Sequence, residues 1–113
     1  MATFTRRELI DQTAFKLGAL SVGQTLSAED LAALDGMAGS LFDQLAEDGI
    51  LMVADDDAIP ASWCPYLATL LANLAAPDYG AAMSPDVKVV NEAILRRLVR
   101  GTETYEPQTP DYF

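Results

Sequence analysis

A small all-α domain, a bundle of about four helices followed by an extended tail, is the fold that this 113-residue sequence predicts. Three observations predict it. Apolar residues recur at helical spacing in four separate stretches, most regularly in the second, where spacings of three and four alternate. Ser or Thr stands near the start of each stretch and Gly or Pro just after it, as helix starts and stops require. One short run, Ile50-Leu51-Met52-Val53, is β-prone.

Thr5-Arg6-Arg7-Glu8 reads as a capping box, in which the Thr5 hydroxyl and the Glu8 carboxylate each satisfy an orphan amide of the other. The first helix puts Leu9, Ile10, Ala14 and Leu17 on one side and stops at Gly18. Ser27 caps the second, with Glu29 and Asp30 suited to the positive end of its dipole. Leu31, Leu34, Ala38, Leu41 and Leu45 form its apolar stripe, and Gly49 ends it after about 30 Å. Gly36 and Gly39 lie inside this helix, where each lowers helix propensity by roughly 1 kcal/mol. A close helix–helix contact is the simplest use for them.

After the β-prone run, Asp55-Asp56-Asp57 turns the chain, and Ala58-Ile59 is expected to pair back as a short β-hairpin or extended segment. Pro60 and Ser62 open a third helix carrying Trp63, Tyr66, Leu67, Leu70, Leu71 and Leu74, which ends before Pro77. Asp78-Tyr79-Gly80 makes a turn. Ser84-Pro85 is a cap with proline at the first helical position. The fourth helix is expected to turn Val87, Val90, Ile94 and Leu98 inward and to end at Gly101. One helical domain, residues 1–101, is therefore expected, with a tail at 102–113. Pro107 and Pro110 deny that tail a helical period. Its Tyr105, Tyr112 and Phe113 are anchors for docking on a partner.

The formal net charge is −10, from 17 acidic and 7 basic residues. Residues 17–87 contain no Lys or Arg, while eleven acids fall among them. Such a surface repels a phosphate backbone, which argues against tight, sequence-specific nucleic-acid binding. With a single cysteine, Cys64, no intramolecular disulfide is possible. No signal peptide and no bilayer-spanning apolar run are read, so a soluble intracellular protein, or part of a particle assembled inside a cell, is expected.

No histidine is present, so His-based triads and most zinc sites have no basis. Cys64, between Trp63 and Pro65, reads as a packed thiol rather than a nucleophile. Asp55-Asp56-Asp57 lacks the alternating ligands, central glycine and later Glu of an EF-hand loop and reads as a solvated turn. No pair of carboxylates stands out for acid–base work. No enzymatic activity, no cofactor and no metal are expected.

The order Glu8-Leu9-Ile10, Leu17-Gly18, Leu20-Ser21-Val22-Gly23-Gln24-Thr25-Leu26-Ser27-Ala28-Glu29, Asp48-Gly49-Ile50-Leu51, Pro60-Ala61-Ser62-Trp63 and Leu74-Ala75-Ala76-Pro77-Asp78-Tyr79-Gly80 resembles a known family. These are the head-to-tail adaptor, or connector, proteins of tailed bacteriophages and gene transfer agents. The tail accessory group that stabilises packaged DNA is the most similar. The chain departs from that pattern at Gly36, Gly39 and Leu45, the last a place where such proteins often carry an aromatic.

The resemblance implies a structural virion protein at the head–tail junction, assembled in the bacterial host cytoplasm. It implies a homo-oligomeric ring, usually twelvefold, that sits under the portal protein and receives the next tail component (a nozzle, stopper or tail-tube protein). It also implies that the C-terminal segment, with Tyr105, Pro107, Pro110, Tyr112 and Phe113, holds the portal. DNA would pass through without specific binding, and some of Asp43, Glu47, Asp48, Asp55, Asp56 and Asp57 would line or rim the channel. No membrane is involved. The composition also admits a monomeric acidic interaction module, a DNA mimic or an inhibitor of a basic partner. A small carboxylate hydrolase is a third reading.

Overall fold

In the computed structural model, residues 2–18 and 23–103 are described, the last three by their backbone alone. The chain runs through β1 (Thr3–Phe4), α1 (Arg6–Leu17), α2 (Ala28–Glu47), β2 (Ile59–Pro60), α3 (Cys64–Ala75), a 3-10 turn (Ala76–Tyr79) and α4 (Pro85–Glu103). The expected small all-α bundle is the observed architecture. The apolar α3 lies at its centre, with α1, α2 and α4 all packed on it.

Local signals fix most helix ends. The Thr5 hydroxyl accepts from the Glu8 amide at 3.1 Å and the Glu8 carboxylate from the Thr5 amide at 2.9 Å, completing the capping box. Gly18 closes α1 in the left-handed region at φ 76°. Ser27 caps α2 through the Asp30 amide at 3.1 Å. At its other end the Ile50 amide donates to Leu45 O at 2.9 Å and the Gly49 amide to Ala46 O at 3.1 Å. With Gly49 at φ 71°, this is a Schellman ending.

That ending explains why residues 50–53 form no strand. Ile50 and Leu51 turn straight into the core beside Leu45, so the run is consumed by packing and is not free to pair. The expected hairpin is thus replaced by a different sheet. Ile59 pairs antiparallel with Phe4, and Pro60 with Thr3, tying the N-terminus to the loop before α3. Asp55-Asp56-Asp57 is a turn, as expected. The Asp57 amide donates to Asp55 Oδ1 at 2.9 Å and the Ala58 amide to Asp55 O at 3.0 Å.

The third helix starts later than expected. Pro60 belongs to β2, Ser62 to the following turn, and Trp63 is the residue before the first helical turn, with Pro65 just inside it. Asn73 then clamps the entry to α4. Its Oδ1 accepts from the Ser84 amide at 2.7 Å and its Nδ2 donates to Ser84 O at 3.0 Å.

The main core joins Leu9, Leu41, Leu45, Ile59, Leu67, Leu71 and Leu95. A smaller cluster of Ile10, Ala14, Leu26, Leu34 and Ala75 closes the other side of α1. Phe42, outside the expected α2 stripe, is buried with it, while Leu31 is only half-buried.

In α4 the inward face is rotated from the expected one. Leu95 is fully buried and Val99 packs on the core, whereas Val90 is 55% exposed and Val89 64% exposed. Val87, Asn91, Leu95 and Leu98 satisfy a helical period as well as Val87, Val90, Ile94 and Leu98 do. Adjacent apolar pairs at 89–90 and 94–95 make the two registers indistinguishable in sequence. The α4 backbone also stays helical through Gly101 to Glu103, past the expected stop.

Candidate functional surfaces

The sequence singled out acids and a tail. Asp43, Glu47 and Asp48 are exposed on the last turns of α2 and at its C-cap, and Asp55 and Asp57 are exposed in the following turn. Asp56 is different: it is half-buried and its Oδ2 accepts from Arg6 Nη1 at 2.8 Å. Tyr105, Pro107, Pro110, Tyr112 and Phe113 lie outside the described residues.

Arg6 is the polar hub that joins α1, α2 and the loop before β2. Its Nε donates to Asp35 Oδ1 at 2.7 Å and its Nη2 to Asp35 O at 2.6 Å. Its guanidinium lies 5.6 Å from the Phe42 ring centroid, in cation–π range. Burial opposes the charge, but the hydrogen bond donated to Asp56 and the charge of Asp35 outweigh it and raise the pKa above its ordinary value.

Gly39 makes room for this hub: a Cβ there would stand 3.2 Å from Arg6 Nη2. A Cβ at Gly36 would meet nothing within 4 Å among the described residues. The two glycines therefore differ. One admits the first residue of a neighbouring helix, and at the other a Cβ would meet nothing within 4 Å among the described residues.

Two raised pKa values, at the buried Cys64 and the half-buried Tyr79, have structural explanations. Burial, with a smaller contribution from the Glu8 charge, pushes the Cys64 thiol up, and the thiol donates to Pro60 O at 3.6 Å. Burial first, then the hydrogen bond to Asp30 Oδ1 at 3.0 Å, pushes the Tyr79 hydroxyl up. Among the described residues no group of three Cys, Asp or Glu side chains is placed to hold a metal ion. No described helix is long and apolar enough to cross a membrane.

An open groove of about 690 Å³ lies between the end of α2 and the end of α4. Ile50, Leu51 and Met52 line it from the segment after α2, Trp63 from the turn before α3, and Arg96, Val99 and Arg100 from α4. No spacing or motif in the sequence points to it. Arg96 and Arg100 lie toward the C-terminal end of α4, and Trp63 lies more than thirty residues earlier in the chain. Their meeting depends on where α4 crosses α3.

The fold and these surfaces define a small acidic helical domain with its cations gathered at a few places. Compared with protein-family models, with curated proteins and with solved structures, the chain matches none.

Proposed function

We propose that this protein is a head-to-tail adaptor, a structural component that rings the portal of a tailed phage or gene transfer agent and retains packaged DNA. The observation that carries the reading is the long acidic stretch of sequence without a cation. Residues 17–87 hold eleven acids and no Lys or Arg. Asp43, Glu47, Asp48, Asp55 and Asp57 from this stretch are exposed around one helix end and the turn after it. A ring of subunits multiplies that charge, and a lumen of like sign lets DNA slide without adhering. The order of caps and turns that resembles the adaptor family supports the same reading.

In this reading the domain is the wall of the ring and is not an enzyme. Asp56 serves the fold through Arg6, while its exposed neighbours face the channel. Residues 102–113 anchor the subunit to the portal, using Tyr105, Tyr112 and Phe113 as apolar anchors spaced by Pro107 and Pro110. The opposite rim receives the next tail component. A monomeric acidic module remains the second reading, because the same exposed acids resemble the charge of a nucleic-acid backbone.

Co-sedimentation with assembled portal rings separates the two. The adaptor pellets with the portal in a fixed ratio and loses this on deletion of residues 102–113. A module that mimics DNA stays in the supernatant and binds a basic partner with or without the tail.

A further inference from the structure

We propose that the outer face of α4 pairs two copies of this chain, antiparallel, around a two-fold axis that crosses the helix between positions 91 and 92. In this contact Val90 of each copy packs on the partner's Ala93, and Asp86 of each meets the partner's Arg97. The contact needs no portal and stands apart from the adaptor reading.

Three observations converge on a second copy. The first is an exposed apolar strip. α4 rests on α3 through Leu95 and Val99, which turns its opposite side to solvent. There Val89 and Val90 are both more than half exposed, and Ala93 is exposed between them and the arginines. Asp86, Val90, Ala93 and Arg97 follow at steps of four, three and four. They therefore lie in one row down the helix, at the spacing of a helix–helix seam.

The second is the order of that row, which reads acid, large apolar, small apolar, base. Laid antiparallel on itself, it sets each acid against a base and each valine against an alanine. A two-fold contact requires such self-complementarity. A parallel alignment instead sets Asp86 against Asp86 and Arg97 against Arg97. Neither residue forms an ion pair among the described residues.

The third is the charge around the row. The seven cations of the chain fall on two helices: Arg6, Arg7 and Lys16 on α1, and Lys88, Arg96, Arg97 and Arg100 on α4. Residues 85–100 carry those four cations against two acids, Asp86 and Glu92, and Lys88 holds Glu92 at 3.2 Å. Arg96 and Arg100 flank the row on the side of the groove. Two copies of an acidic chain thus meet at a face without acidic excess. The antiparallel order also keeps the two Arg97 side chains about 16 Å apart along the axis, beyond the screening length of about 8 Å.

One helix pair buries less than the roughly 1,200 Å² of a stable interface, so the dimer is weak, with a dissociation constant on the order of 100 μM. Sedimentation equilibrium of the full chain between about 10 μM and about 1 mM brackets that value, with circular dichroism confirming that each variant is folded. The parent chain passes from monomer to dimer over this range, and Val90→Glu leaves monomer. Asp86→Arg and Arg97→Glu each set like charges together twice per dimer and weaken association about tenfold. Mixing these two variants restores it, because both 86–97 pairs are then of opposite sign. Combining the two changes in one chain restores it as well. A parent chain that stays monomeric at the highest concentration overturns the proposal. So does a dimer that withstands Val90→Glu, or a mixture of the two charge variants that fails to recover association.

Discussion

Replacing Gly36 and Gly39 by alanine, one at a time, separates two positions that the sequence presents alike. Both lie inside α2, and either change adds roughly 1 kcal/mol of helix propensity. At Gly36 nothing lies within 4 Å of the new Cβ, so the whole gain is realised, raising the melting temperature by about 4 °C for a domain of this size. At Gly39 the Cβ meets Arg6 Nη2 at 3.2 Å. That nitrogen is held to Asp35 O at 2.6 Å, so it must move a few tenths of an ångström and weaken its bond. Arg6 and Asp35 are partly exposed. Solvent therefore limits the loss to about 1 kcal/mol, comparable to the gain. Gly39→Ala is thus nearly neutral. Thermal and urea unfolding followed by circular dichroism measure the difference. In an Arg6→Ala background the obstacle is gone, and Gly39→Ala recovers the full gain. Equal stabilisation by both alanines in the parent chain would refute the reasoning, because Arg6 would then impose no constraint at Gly39.

Other consequences are equally open to measurement. Leu95→Ala empties a fully buried position and destabilises by about 3 kcal/mol, while Val90→Ala, at an exposed position, stays within about 0.5 kcal/mol; urea midpoints decide between this order and the reverse one implied by the expected helix face. Arg6→Ala removes two partly exposed ion pairs and the contact with Phe42, lowering stability by about 2 kcal/mol in the same assay. Cys64 and Tyr79 titrate above their ordinary values of 9.0 and 10.0. The unfolded chain therefore gives up these protons first, so stability is full below about pH 9 and falls as pH rises through the folded values. Urea midpoints compared at about pH 8 and pH 10.5 measure the fall, and Tyr79→Phe makes it shallower.

Much of the fold was legible because its helix ends are written in local chemistry. Thr5 with Glu8, Ser27 with Asp30, and Gly18 and Gly49 at left-handed stops all act within a few residues of themselves. The stripe of α2 was legible because Leu34, Ala38, Leu41 and Leu45 admit one helical face. The face of α4 was not, because paired apolar residues allow two registers and only the docking on α3 chooses between them. The hairpin was misread because β propensity at residues 50–53 competes with burial, and burial of Ile50 and Leu51 won. Phe4, the actual partner of Ile59, is 55 positions away in sequence, beyond any local signal. Of the candidate surfaces, the exposed acids followed from composition alone. The Arg6 hub and the groove arise from residues brought together by packing, and no spacing in the sequence announces them.

Electron microscopy of the full chain mixed with the portal protein encoded beside it tests the adaptor role most directly. A ring of subunits capping the portal, absent when residues 102–113 are removed, is the expected result. Bare portals at saturating full-length protein would contradict the role and leave an acidic interaction module in its place.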